Sequence, residues 1–351
     1  HLHASPRQHD GALSSTWTAG DEAAEDASLW SAENLPDPVE TSHSMHVKGA
    51  QLQYTAAAGL LPIVLDETAG PAGSMFFVHY TLDDGGDPAS RPLSFCFNGG
   101  PGSASTWLHL GGLGPKKVEL LPDGGMPAPP YRLVDNDETW LPTTDLVFID
   151  AMGTGYSRPA TKDDGPKFWG AQEDLTAFTE FIRAYLVKYN RWTSPLYLAG
   201  ESYGTFRSAG LATTALKTAG VAFQGILLIS SVLSMNTLWG THLPHLTFLP
   251  TYTATAWYHR ALSAELQAKP LRAVLDEAEA WTLDVYAPAL AKGEARLSDG
   301  ERATVIAGLA KYTGLSQAFV EGTNLQIDDG NYRKELLRSS RRTVSGWRPL
   351  K

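Results

Sequence analysis

Short apolar runs alternate with amphipathic stretches through the middle of the chain. Segments 93–97, 146–150, 196–199 and 226–230 are each four or five residues long and almost wholly apolar. Continuous rather than alternating hydrophobicity is the pattern of strands buried on both faces of a parallel sheet. Between them, 171–189 sets Leu175, Phe178, Ile182, Tyr185, Leu186 and Tyr189 at the spacing of one helical face. A further helix starts near Tyr203 and should stop at Gly220. Strand–helix alternation predicts a mainly parallel sheet covered by helices. Ahead of it, 51–54 and 60–65 read as a hairpin turning around 57–59, and 74–82 as another strand. These add antiparallel strands to one edge.

From about Trp239 to Gly322 the strand signals vanish. Segment 271–286 reads as a helix with Pro270 suited to its first turn and Pro288 just past its end. Segment 298–312 reads as another, with Ser298 as cap and Glu301 three residues on. The expected organisation is an acidic N-terminal arm over 1–44, the first part of an α/β core over 45–238, a helical cap insertion over 239–330, and an incomplete return to the core over 331–351. The first 40 residues carry eight acidic side chains and one arginine, a solvated segment rather than a binding tail. The last 21 hold seven basic side chains and one acid, Glu335. They are read as a helix and turn rather than an anion site. No internal repeat is evident.

Composition narrows the class. With 351 residues, 43% of them hydrophobic, and 10 Trp, 13 Tyr and 12 Phe, the chain must bury a large core and is not disordered. A formal charge of −10 repels phosphate backbones, so no nucleic-acid partner is expected. No run approaches the ~20 apolar residues of a membrane span, which predicts a soluble protein. The single cysteine, Cys96, lies between Phe95 and Phe97, and is read as a buried, inert core residue. No metal or organic cofactor is implied. The chain begins His-Leu-His rather than with Met. That points to a removed leader or a truncated start, with an exported location preferred over the cytoplasm.

The chemistry-bearing segments fall just after predicted strands. Gly200-Glu201-Ser202-Tyr203-Gly204 is a G-x-S-x-G sequence between a strand and a helix, the context of a nucleophile elbow. A serine on so sharp a turn projects its hydroxyl above the sheet, and the flanking glycines leave no side chains to clash. The helix that follows turns free N–H groups toward a reacting carbonyl oxygen. The bland alternative is an ordinary strand-to-helix turn. Asn98-Gly99-Gly100-Pro101-Gly102 follows the strand ending at Phe97. Gly99 and Gly100 are placed to supply a second oxyanion donor, unless this is only a tight turn. No G-K-[ST] follows, which disfavours a phosphate loop. Asp150 to Ser157 follows a third strand and is read as a wall of the site rather than a catalytic acid.

Together these segments resemble the serine carboxypeptidase family of the α/β-hydrolase superfamily. The resemblance rests on FNGGPGSAS at 97–105, DLVFIDAMGTGYS at 145–157 and LAGESYG at 198–204, and covers roughly residues 45–345. It implies an α/β-hydrolase fold with a helical insertion, and removal of one residue from the free C-terminus of a peptide. Ser202 matches the nucleophile, and the backbone N–H groups of Gly100 and Tyr203 match the oxyanion hole. Asn98, the N–H of Gly99, and Glu201 match the groups that grip the substrate's terminal carboxylate. A glutamate can grip a carboxylate only by sharing a proton with it, since two bare carboxylates repel.

Three departures qualify the match. Gly111 and Gly112 stand where many relatives place a second glutamate, and Ser103 where some carry a cysteine, which suggests a disulfide-poor, bacterial-type member. The elbow fold uses the order Ser, Asp, His. After Ser202 the histidines are His242, His245 and His259, all at or inside the apparent insertion, and none follows Asp276, Asp284, Asp299, Asp328 or Asp329. The triad Asp and His are therefore not found in this chain. The resemblance assigns them to a C-terminal portion or a second chain, and predicts little activity from these 351 residues alone. His109 is read as a pocket-lining or surface histidine. The competing functions are an esterase or acyltransferase on the same scaffold, and a non-catalytic binding module.

Overall fold

The computed structural model describes residues 34–344, apart from residue 123. The chain divides into two compact units. One comprises residues up to Glu119 with Tyr131–Ser231, the other Leu120–Pro130 with residues from Val232 onward.

The first unit carries the strands β1 (Val39–Val47), β2 (Ala50–Ile63), β3 (Gly73–Leu82), β4 (Leu93–Phe97), β5 (Lys116–Val118), β6 (Leu133–Asp135), β7 (Asp145–Ile149), β8 (Arg158–Pro159), β9 (Leu196–Glu201) and β10 (Gly225–Ile229). The main sheet has the order β1-β2-β3-β7-β4-β9-β10, with β8 on β3, while β5 and β6 pair separately. The first three strands are antiparallel and β7, β4, β9 and β10 are mutually parallel. This is the expected α/β-hydrolase class of sheet, with all four short apolar runs as its parallel strands.

The N-terminal strands differ from the sequence reading. The hairpin expected around 57–59 is absent, because β2 runs unbroken from Ala50 to Ile63. The turn lies between β1 and β2 instead, at Lys48 and Gly49, whose φ values are 49° and 87°. Gly59 does not bend the chain. A Cβ there would sit 2.9 Å from Pro38, so the glycine serves a close contact. Strand β1 begins at Val39, inside the segment read as the acidic arm. The arm's first 33 residues and residues 345–351 lie outside the described residues.

Two helices pack on this sheet, α1 (Ala171–Lys188) and α2 (Tyr203–Ala219). Gly220 ends α2 in the left-handed region at φ 68°, as expected. Gly210 brings α2 against α1, since a Cβ there would stand 2.6 Å from Leu175. One core cluster gathers Phe77, Phe95, Phe97, Phe178 and Phe181, and a second gathers Tyr54, Tyr80, Cys96 and Phe148. Each fully buried aromatic removes enough apolar surface from water to contribute about 1.5–3 kcal/mol. Cys96 is buried as anticipated, and burial alone pushes its thiol pKa up.

Every residue of β4 and β7 is buried. Strand β10 is different. It is the edge of the sheet, yet Ile226, Leu227 and Leu228 are 38%, 37% and 41% exposed. Edge strands ordinarily carry charges or bulges that discourage pairing, and this one carries neither.

The second unit is helical. Its helices α3 (Leu249–Tyr258), α4 (Leu271–Trp281), α5 (Asp299–Thr313) and α6 (Asp329–Glu335) enclose a core containing Leu249, Val274, Tyr286, Leu309 and Tyr332. Ser298 and Glu301 form the predicted capping box at the start of α5. The helix expected over 271–286 is not terminated by Pro288. It passes through a π turn at Thr282–Tyr286 into the short helix Ala287–Lys292, with Pro288 in that helix's first turn. Proline fits there because it lacks the N–H that a first turn leaves unpaired. Among the described residues, no helix is long and apolar enough to cross a membrane.

Candidate active site

The strand-to-helix crossing at Ser202 has the geometry the sequence predicts. Ser202 adopts φ 57° and ψ −123°, a conformation that costs a non-glycine residue of order 1–3 kcal/mol. The turn is held from both sides. The Ser202 N–H donates to the Ile229 carbonyl at the end of β10 (3.0 Å), and the Ser202 carbonyl accepts from the N–H and hydroxyl of Thr205 (2.9 and 2.7 Å). Both flanking glycines are sterically required. A Cβ on Gly200 would lie 2.1 Å from the Gly204 carbonyl oxygen, and one on Gly204 would lie 2.9 Å from that of Phe97. Ser202 itself is half-buried.

The glycine loop after β4 packs directly on this turn. A Cβ on Gly99 would meet the Tyr203 nitrogen at 2.3 Å, the Glu201 carbonyl oxygen at 2.7 Å and the Gly204 nitrogen at 2.9 Å. Gly100 needs its glycine for another reason, a φ of +112°. Parallel pairing of β4 with β9 sets this proximity, because it aligns Phe97 with Gly200 and brings both loops off the same end of the sheet.

Asn98 is 1% exposed and bridges the two loops. Its Nδ2 donates to Glu201 Oε2 at 3.0 Å, and its Oδ1 accepts the Leu108 N–H at 2.9 Å. Asn98, Gly99, Gly100, Glu201, Ser202 and Tyr203 thus converge at one place. Tyr203 is partly buried, which raises its phenol pKa, as does the nearby Asp174 carboxylate.

The third loop lies alongside. The Asp150 carboxylate accepts the Ser105 N–H at 2.8 Å, and the Ser105 hydroxyl donates to the Ile149 carbonyl. Burial raises the Asp150 pKa, while hydrogen bonds from the Ser105 and Tyr156 amides oppose that rise. Asp150 therefore ties the third loop to the glycine loop. A cleft of about 220 Å³ is lined by Ser105 and Asp150 of these loops together with Phe76, Phe148 and His109. His109 is stacked on Phe148 with ring centroids 4.5 Å apart and shares a 2.6 Å hydrogen bond with the Tyr80 hydroxyl. Burial lowers its pKa to about 4. It lines this cleft from the protein side.

Among the described residues, no hydrogen bond joins Ser202 Oγ to an imidazole. His79 Nδ1 pairs with the Tyr185 hydroxyl, and His245 Nδ1 with the Ile327 carbonyl. Nor does any group of three His, Cys, Asp or Glu side chains among those residues form a metal site.

Sequence reading missed Arg207 and Asp174. Arg207 Nε and Nη2 grip the two Asp174 carboxylate oxygens at 2.8 and 3.1 Å, while Nη1 donates to the Asn98 carbonyl at 2.8 Å. An arginine among the apolar positions of α2 was the available signal, but its partners lie 33 and 109 residues away.

A serine carboxypeptidase of Caenorhabditis elegans is 32% identical over 140 residues, covering 38% of this chain and 22% of that protein. Carboxypeptidase Y of Saccharomyces cerevisiae is 25% identical over 128 residues, covering 36% of this chain and 22% of that protein. Among solved structures, a prohormone-processing carboxypeptidase from Saccharomyces cerevisiae matches with a TM-score of 0.46 at 23% identity, covering 74% of this chain and 53% of that one. The chain spans only about a quarter of the curated relatives' own lengths where it matches them. The family model described as serine carboxypeptidase matches residues 50–291, and the chain belongs to the serine carboxypeptidase family.

Proposed function

We propose that the protein acts as a serine-type carboxypeptidase, releasing the C-terminal amino acid of a peptide through an acyl-enzyme on Ser202. Ser202 Oγ, deprotonated by a general base, attacks the last peptide carbonyl. The backbone N–H groups of Gly100 and Tyr203 stabilise the resulting oxyanion. Collapse expels the amine of the terminal amino acid, which takes up a proton, and water then hydrolyses the ester.

The observation that carries this reading is the Asn98–Glu201 hydrogen bond of 3.0 Å immediately beside Ser202. An esterase has no use for such a pair. A carboxypeptidase does, because Asn98 and the Gly99 N–H can donate to a terminal carboxylate while Glu201 shares a proton with it. This reading assigns the general base and its orienting acid to a C-terminal portion or a second chain. The uncovered apolar edge of β10 supports that, since a strand docked there would run about 10 Å from β9. Loops from its end would fall within side-chain reach of Ser202.

Binding does not require the base, so the test is calorimetric titration of the chain with an N-blocked dipeptide and with its C-terminal amide. The free acid should bind at least about tenfold more tightly, as expected for hydrogen bonds to a charged group. Equal affinity for acid and amide would refute a carboxypeptidase, and would leave the esterase or a binding module.

A further inference from the structure

We propose that Arg207 is the positioning residue for the carboxylate-gripping pair, holding Asn98 in place from beneath. The proposal rests on the reading that Asn98 and Glu201 receive the substrate's terminal carboxylate.

Arg207 is 1% exposed and lies on α2, five residues past Ser202. Its guanidinium joins two separate pieces of the site. Two nitrogens bind the Asp174 carboxylate on α1, and the third binds the Asn98 carbonyl in the glycine loop. The guanidinium carbon also stands 4.3 Å from the centre of the Phe178 ring and 5.3 Å from those of Phe97 and Tyr203. Burying a guanidinium is costly unless its charge is paired and its donors are used. Asp174 supplies the opposite charge, and that ion pair alone would suffice to lock α1 against α2.

The contact with Asn98 is what goes beyond helix packing. Asn98 is fixed at its carbonyl by Arg207, at Oδ1 by the Leu108 N–H and at one Nδ2 hydrogen by Glu201. The Asn98 amide group has a second N–H to offer a ligand. Its direction depends on where the Asn98 backbone is held, and that backbone is held by Arg207, a side chain on the helix that follows Ser202. The planar fork of arginine can serve Asp174 and Asn98 together, whereas a lysine ammonium cannot reproduce that geometry.

Two variants separate positioning from packing. Arg207→Lys keeps the charge and loses the fork. Asp174→Asn weakens the ion pair and leaves the donor to Asn98. Each is titrated with the N-blocked dipeptide and its C-terminal amide, and its thermal unfolding is recorded. Arg207→Lys should lose about tenfold or more of the preference for the free acid while binding the amide as the unaltered chain does. Asp174→Asn should melt at lower temperature yet keep that preference within about threefold. An Arg207→Lys chain that folds and still prefers the acid as strongly as the unaltered chain overturns the proposal. If Arg207→Lys does not fold, Asp174→Asn decides: retained preference supports positioning, and lost preference overturns it. An unaltered chain that binds acid and amide equally refutes the carboxypeptidase reading itself, and with it any such role for Arg207. Failure of the first is thereby distinguished from failure of the second.

Discussion

Replacing Gly99 by alanine introduces one methyl group at the most crowded point of the site. Its carbon would stand 2.3 Å from the Tyr203 nitrogen, where ordinary contact begins at 3.4 Å. The other near atoms, the Glu201 carbonyl oxygen at 2.7 Å and the Gly204 nitrogen at 2.9 Å, are also backbone and cannot rotate away. The glycine loop must therefore retreat by about 1 Å, the difference between the observed and tolerated distances. Forced overpacking of this kind costs about 1–3 kcal/mol, several degrees of melting temperature for a unit of this size. The same retreat carries the Gly100 N–H away from the oxyanion position and lengthens the Asn98–Glu201 contact. A misplacement of about 1 Å lowers turnover about 100-fold in a site that depends on alignment. Thermal unfolding of the chain reads the first effect, and dipeptide hydrolysis by active enzyme the second. Gly111→Ala is the control, because nothing lies within 4 Å of a Cβ there. A Gly99→Ala protein that melts with the unaltered chain and binds the free acid as well would show that the two loops are not in contact, and the site as described would fall.

Other outcomes follow from the same geometry. Ser202→Gly should be more stable than Ser202→Ala by about 1 kcal/mol in denaturant titration, since glycine adopts φ 57° freely; equal stabilities would mean the turn is unstrained. Asp145 is buried and binds Arg91 Nε and Arg191 Nη1, both at 2.7 Å. Asp145→Asn should therefore cost about 3–5 kcal/mol, and a loss below about 1 kcal/mol by urea unfolding would contradict a buried charge cluster. Burial holds His109 at about 4 against an ordinary 6.5, and His79 likewise. The unfolded chain takes up these protons below pH 6.5 while the folded chain resists until about 4, so stability is lost as pH falls through that window, by roughly 3 kcal/mol for His109. His109→Gln should flatten the fall between pH 7 and 4.5, and an unchanged slope would show the imidazole to be solvated.

Much of this protein is written locally. The four parallel strands were legible because both of their faces were expected to be buried, which demands unbroken apolar runs. The nucleophile turn and the glycine loop were legible because tight backbone paths exclude a Cβ at Gly99, Gly100, Gly200 and Gly204. The hairpin was misplaced because Gly59, which looks like a turn residue, answers instead to Pro38, a contact made only when the strands are assembled. Pro288 misled in the same way, since proline is as welcome in a helix's first turn as beyond its end.

What the sequence alone determined is a set of local backbone shapes: the four short parallel strands, the glycine loop after the first of them, and which serine stands on the sharpest turn. The tertiary structure alone decided the pairings. Asn98 meets Glu201 across 103 positions, and Arg207 reaches both Asp174 and Asn98, because β4 and β9 lie side by side while α1 packs against α2. Local conformation follows from sterics within a few residues, but the partner of a buried polar group depends on which distant segments share the core, and no short stretch of sequence carries that.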